Sequence, residues 1–261
     1  MSDVVELLFL GTGTSAGIPM IGCHCAVCSS ADPRDKRMRP SVIFSRAGKN
    51  VLIDTTPELR LQCVANRTDM VEAVVYTHAH ADHIFGLDDV RRFNALRAGP
   101  LDVWASEATH RILTQCFPYA FMEPTPELRI FRPHLNRRFI EQPFNVAGMT
   151  FHPIPLLHGQ MPVFGFRVGN IAYCTDVSEI PESSFEMLQG LDVLVLDALQ
   201  HTPHVTHFNL EQAVAAARRI NAKQTLFTHI AHALGHETTN AGLPDRMRLA
   251  FDGERVTSKI G

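Results

Sequence analysis

Within Thr77-His78-Ala79-His80-Ala81-Asp82-His83, four side chains able to bind metal fall in six residues. The run directly follows the apolar stretch Val71 to Tyr76, so it lies where a strand ends and a loop begins. Three imidazoles and a carboxylate offer nitrogen and hard oxygen together, the mixture that zinc, manganese and iron sites use. Small Ala79 and Ala81 leave the backbone free to curl around an ion. One loop cannot close such a site, and further donors stand at the ends of later strands. His158 follows a strand expected from Met149 to Ile154, Asp176 lies just past Ile171 to Cys174, and His229 ends Gln224 to Phe227. Taken singly, Asp176 could cap a helix and each His could be an ordinary polar strand end. Their recurrence at the same end of successive strands argues for a shared site.

A second cluster is built from thiols. Cys23, Cys25 and Cys28 fall within six residues, whereas Cys63, Cys116 and Cys174 stand alone. The N-terminus Met1-Ser2-Asp3-Val4-Val5-Glu6 is acidic and shows no signal peptide, and no apolar run reaches the roughly 18 residues of a membrane span. The expectation is therefore a cytoplasmic protein, in which clustered thiols suggest metal more than a disulfide framework. Three thiolates leave zinc one ligand short of a closed tetrahedral structural site.

These residues must be positioned by a core. The chain has 261 residues, 45% hydrophobic and 20% charged, with a net charge of −3, which excludes collagen-like and disordered classes and announces neither nucleic acid nor an anionic membrane. Strands are expected at Leu7 to Leu10, Val71 to Tyr76, Leu101 to Trp104, Val163 to Val168 and Val193 to Leu196, beside those already named. Ser41 to Phe44 and Val51 to Ile53 flank the turn Ala47-Gly48-Lys49-Asn50 and read as a hairpin. The clearest helix runs from an Asn209 cap to Ile220. Strands mixed with helices and no linker-like segment predict one α/β domain over residues 1–261. The stretch from Pro118 to Pro143, with Pro124, Pro126 and Pro133 between, predicts an irregular edge or an insertion. Gly11, Gly13 and Ala16 match a dinucleotide fingerprint only formally, since Pro19, Gly22 and the Cys cluster follow where a helix should begin; a plain Gly turn after an edge strand is expected instead.

The ordered set His-x-His-x-Asp-His, then His, Asp and His, resembles the metallo-β-lactamase superfamily from Leu8 to Asp252. That resemblance implies a four-layer αββα sandwich. It assigns His78, His80 and His158 to one divalent ion and Asp82, His83 and His229 to another, with Asp176 bridging and zinc or manganese as the metals. Gly22-Cys23-His24-Cys25-Ala26-Val27-Cys28, His207 before a Leu-bearing helix, and Thr228-His229-Ile230-Ala231-His232 are similar to the PhnP-like branch, the phosphoribosyl cyclic-phosphate phosphodiesterases. By that similarity His232 completes a structural zinc site, with His24 and His236 as alternatives. Catalysis would fall to Asp82 and to His207, the latter as the general acid that protonates the leaving oxygen.

The implied activity is hydrolysis of a small, cyclic, nucleotide-like or ribosyl phosphodiester by a metal-bound hydroxide. Asp54 occupies the place of a carboxylate behind the metal loop, or else forms a turn. Arg91 or Arg92 could grip a phosphate, or else face solvent. A tRNA 3′-processing nuclease and a PQQ-pathway B-like protein without phosphodiesterase activity are the alternatives, the former disfavoured by the acidic balance and the absence of a basic arm. A small phosphodiester is the expected partner, membrane and nucleic acid are not, and a homodimer is left open.

Overall fold

The direction of alternate side chains decides the architecture. Along β1 (Val4–Gly11), Leu7 and Phe9 enter one buried cluster while Leu8 and Leu10 enter another. Both faces of the strand are covered, which is why its sequence reads as a continuous apolar run. The computed structural model describes residues 3–123 and 131–259. After β1 come β2 (Ser41–Arg46), β3 (Lys49–Ile53), β4 (Ala73–Val75), β5 (Leu101–Ala105) and β6 (Leu135–Phe139), hydrogen-bonded in that order, with β3 to β6 parallel. A second sheet holds β7 (Phe144–Val146), β8 (Met149–His158), β9 (Met161–Val168), β10 (Ile171–Cys174), β11 (Val193–Asp197), β12 (Gln224–Thr228) and β13 (Met247–Leu249), again in sequence order. β14 (Arg255–Lys259) then returns to pair antiparallel with β1.

Three apolar clusters separate four layers. Val5, Phe44, Ile53 and Val75 of the first sheet meet Phe151, Phe166, Tyr173 and Val195 of the second. Helices α1 (Leu59–Asn66), α2 (Ala81–Ile84), α3 (Arg91–Arg97) and α4 (Glu107–Cys116) cover the outer face of the first sheet through Leu59, Ile84, Phe93 and Leu113. On the far side come α5 (Glu182–Met187), α6 (Leu210–Ile220) and α7 (His236–Asn240), of which α6 packs Ala213, Ala217 and Ile220 on the second sheet. The result is the αββα order that the resemblance implied. β10, β11 and β12 are parallel, and β8 runs in the same sense because β9 is antiparallel to both its neighbours. Their carboxyl ends therefore open on one edge, where α/β sheets gather ligands.

Several local readings change. β1 is not an edge strand, because β14 covers its outer side. Gly11 is required by close packing rather than by a turn: a Cβ there would lie 2.0 Å from the Arg39 carbonyl oxygen. The hairpin turn is only Ala47-Gly48, both at positive φ (50° and 77°), as tight two-residue hairpins demand. β8 runs on to His158, beyond the expected end at Ile154, because Leu157 and His158 still pair with β9. Asn209 caps α6 with a full capping box to Gln212. Pro133 and Pro143 flank β6, the far edge of the first sheet, whereas Pro124 and Pro126 lie outside the described residues. Among the described residues no helix is long and apolar enough to cross a membrane.

Candidate metal centre

Each donor is delivered by the end of a strand. β4 leads into the loop carrying His78 and His80 and then into α2 with Asp82 and His83; β8 ends on His158; Asp176 follows β10; His229 follows β12. His78, His80, His158 and Asp176 bring one ligand atom each within 4.8 Å of one another, and Asp82, His83, Asp176 and His229 do the same. Asp176 belongs to both sets. Its Oδ2 lies 3.3 Å from His229 Nε2, 3.4 Å from His83 Nε2 and 3.7 Å from His78 Nε2. Zn–N and Zn–O bonds near 2.0–2.2 Å give tetrahedral ligand–ligand edges of about 3.4 Å, so these spacings suit donors converging on ions.

The hydrogen bonding points the same way. Among the described residues, Nε2 of His78, His83 and His229 is buried without a hydrogen-bond partner, which would cost about 1–3 kcal/mol apiece if nothing else met it. Meanwhile Nδ1 of three rings is engaged: His83 Nδ1 lies 2.7 Å from Asp54 Oδ2, His158 Nδ1 donates to the Thr206 carbonyl at 2.6 Å, and His78 Nδ1 lies 3.0 Å from Thr77 Oγ1. A partner on Nδ1 leaves Nε2 as the lone-pair donor, the usual arrangement behind a metal-bound His. Asp54 is fully buried and also accepts from the Thr77 N–H and hydroxyl, so the sequence's weaker suggestion of a carboxylate behind the loop matches its position. Asp54 and His229 both sit in the left-handed region, at φ 62° and 58°, a strained geometry that clusters at functional sites.

Burial alone would raise the Asp82 carboxyl, but the His83 and His229 imidazoles beside it hold it below the usual carboxylate range. Asp176 is likewise held down against burial by His229 and His83. Two carboxylates that stay ionised in a buried cluster suit cations. His80 is exposed, so the site opens to solvent on its side.

His207 lies beside both sets, its ring 4.5 Å from those of His158 and His229. Its Nδ1 is 2.6 Å from Asp197 Oδ2, which also accepts from the Val177 N–H. Asp197 is not among the residues singled out from the sequence, although it ends the buried run Val193–Leu196 as Asp176 and His229 end theirs, which is the signal the sequence offers. Arg91 and Arg92 join neither set. Arg91 is held by Asp88 at 2.6 Å and stacks on Phe131, and both arginines line a groove whose walls include none of the donors.

Cys23, Cys25, Cys28 and His232 form a separate cluster. His232 Nδ1 stands 3.2, 3.4 and 3.7 Å from the three Sγ atoms, against about 3.6 Å for a tetrahedral S–N edge around zinc. Of the alternatives, His24 is exposed and His236 Nδ1 faces Arg37 at 3.2 Å. A backbone N–H from Cys28 lowers the Cys25 thiol to about 6, so a thiolate is available.

A sandwich that gathers two carboxylate-sharing donor sets at one sheet edge defines a class, the metallo-hydrolases of the metallo-β-lactamase type. The chain belongs to the beta-lactamase superfamily: the model of the Beta-lactamase superfamily domain matches residues 49–230. It is similar to a crystal structure described as a new diphosphatase from the PhnP family, with 44% identity, 98% of each chain covered and a TM-score of 0.92. The curated Octanoyltransferase of Porphyromonas gingivalis is 34% identical over 253 residues, 95% of this chain and 51% of that relative. The chain thus spans about half the length of that protein. Zn(2+)-bound PqqB from Methylobacterium extorquens has the same fold, at 18% identity and a TM-score of 0.80 over 96% of this chain and 99% of that one.

Proposed function

We propose that this protein is a dinuclear metal-dependent hydrolase of small nucleotide-like or ribosyl substrates, cleaving a phosphodiester or diphosphate linkage. The observation that carries the reading is Asp176, one buried carboxylate shared by two converging donor sets, with His207 beside both. The diphosphatase likeness over the whole chain supports phosphoric esters or anhydrides as the substrate class. In this reading His78, His80 and His158 hold one ion, Asp82, His83 and His229 the other, and zinc or manganese fits the mixed N/O donors. Two such ions, when bound, lower the pKa of a water and neutralise phosphoryl charge.

The chain's own residues do the rest. Asp54, Thr77 and the Thr206 carbonyl fix the orientation of the imidazoles, so the donor geometry exists before substrate arrives. The exposed His80 side admits substrate. His207 carries a proton to the leaving oxygen from Nε2, because Asp197 occupies Nδ1. Cys23, Cys25, Cys28 and His232 would hold a zinc ion joining the N-terminal loop to the strand end that carries His229, and such a thiolate site suits the reducing cytoplasm. The octanoyltransferase relative, about twice as long, supports a setting beside medium-chain acyl transfer.

The test is a substrate panel on metal-reconstituted protein: cyclic nucleotides, ribosyl cyclic phosphates, nucleoside diphosphate esters and a tRNA precursor. Turnover of one of the small phosphoric esters is expected. Cleavage of tRNA alone would replace this reading with the nuclease, and no turnover with any metal would favour a PqqB-like role.

A further inference from the structure

On the outer face of the first sheet, α1 and α3 border a groove of about 880 Å³, within the range of small-molecule sites. Its floor is apolar: Leu59 and Phe93 are almost fully buried there. Apolar side chains also stand in its walls and are open to solvent, with Val64 69%, Phe131 59% and Leu96 46% exposed. Three large hydrophobic side chains exposed around one hollow are not scattered surface residues, and such patches mark binding sites. Cationic groups share the groove. Arg60, Arg67 and Arg92 line it without an ion pair or side-chain hydrogen bond among the described residues, in a chain where Arg34, Arg219 and Arg255 all find carboxylates. Arg91 also lines it but is paired with Asp88, so three unpaired guanidiniums face the two lining carboxylates, Asp69 and Asp89.

A purely polar anion would have no use for the apolar floor, and a neutral lipid none for the unpaired guanidiniums. A ligand with a short hydrocarbon chain and an anionic head satisfies both. We propose that this groove is a second binding site, separate from the metal centre, for a medium-chain acyl or alkyl anion, its chain lying over Leu59 and Phe93 and its head at the arginines. The choice of eight carbons as the chain to probe rests on the acyl-transfer setting suggested above; the groove's amphipathic character does not.

Calorimetric titration of the intact protein tests the site, with octanoate and octyl phosphate as ligands and octylammonium and inorganic phosphate as controls. Binding of octanoate is expected for a carboxylate head and of octyl phosphate for a phosphate head, with neither control binding comparably. Val64→Asp and Arg60→Glu change exposed side chains, so the core stays intact, and each should weaken binding about tenfold or more while hydrolysis at the metal centre is unchanged. No binding by either anion, equal binding of octylammonium or of phosphate, or affinity unaffected by both substitutions would overturn the proposal. So would a dimer in solution that Val64→Asp dissociates, since the groove would then be covered by a second copy of the chain.

Discussion

His207 and Asp197 show what a side chain gains from its neighbour. A free imidazole could present either nitrogen, but the carboxylate 2.6 Å from Nδ1 fixes the ring and its tautomer, leaving Nε2 to act. If His207 protonates the leaving group, His207→Ala should slow alkyl phosphoric esters by about 100-fold or more while sparing nitrophenyl esters, whose leaving group needs no proton. Equal losses on both, measured by steady-state kinetics, would remove the acid role. At the thiol cluster, Cys25→Ser takes away one of four converging ligands, and elemental analysis should find about one zinc fewer per chain. Unchanged zinc would refute the site. The donors were legible as residues because four fall within six positions and three more recur at the same end of successive strands. Asp197 was not, since a lone carboxylate closing a buried strand looks like an ordinary strand terminus until its partner ten residues later folds back onto it.

At the scale of elements, the strand ends matter more than the strands. β4, β8, β10, β11 and β12 all terminate at one edge, and each ends in or leads to a polar residue of the site. This much could be read from apolar runs that stop at His or Asp. Partners across the sheets could not, because pairing is set by long-range register: β14 closing over β1 and β8 continuing to His158 have no local signature. Gly11 belongs to this scale. A methyl group there would press on the Arg39 carbonyl at 2.0 Å, so Gly11→Ala should destabilise the fold by about 1–3 kcal/mol in denaturant unfolding. No loss would show that β1 and the segment around Arg39 can separate at little cost.

Over the whole molecule, the two ends of the chain are joined through a buried arginine. Arg37 donates to Thr12 Oγ1 at 2.8 Å, to the Ala250 carbonyl at 2.5 Å and to His236 Nδ1 at 3.2 Å, while Asp252 accepts from Thr12 and the Met38 N–H. Burial, with Arg37 and Arg34, pushes His236 down to about 4. The unfolded chain then binds the extra proton between about pH 6.5 and 4, so this group's contribution is complete above 6.5 and lost as pH falls through that window. Burial pushes Asp252 up to about 6, so it takes its proton first in the folded state and adds stability as pH falls from 6. His236→Gln removes only the first effect. Its melting temperature should therefore gain on that of the unsubstituted protein as pH drops from 7 to 4.5; a difference constant with pH would contradict the assignment.

An α/β domain could be anticipated from the apolar runs and the helices between them, and the layering from the family resemblance, whereas this clasp, assembled from residues up to 240 positions apart, could not. The shared carboxylate Asp176 remains the feature on which the functional reading depends. Its most direct test is a titration of metal-free Cys25→Ser protein, which removes the thiol site from the count, with zinc or manganese while hydrolysis of bis-p-nitrophenyl phosphate is followed. Activity is expected to rise to a plateau at two equivalents and to be abolished by Asp176→Ala. A plateau at one equivalent, or no activity with either metal, would contradict that reading.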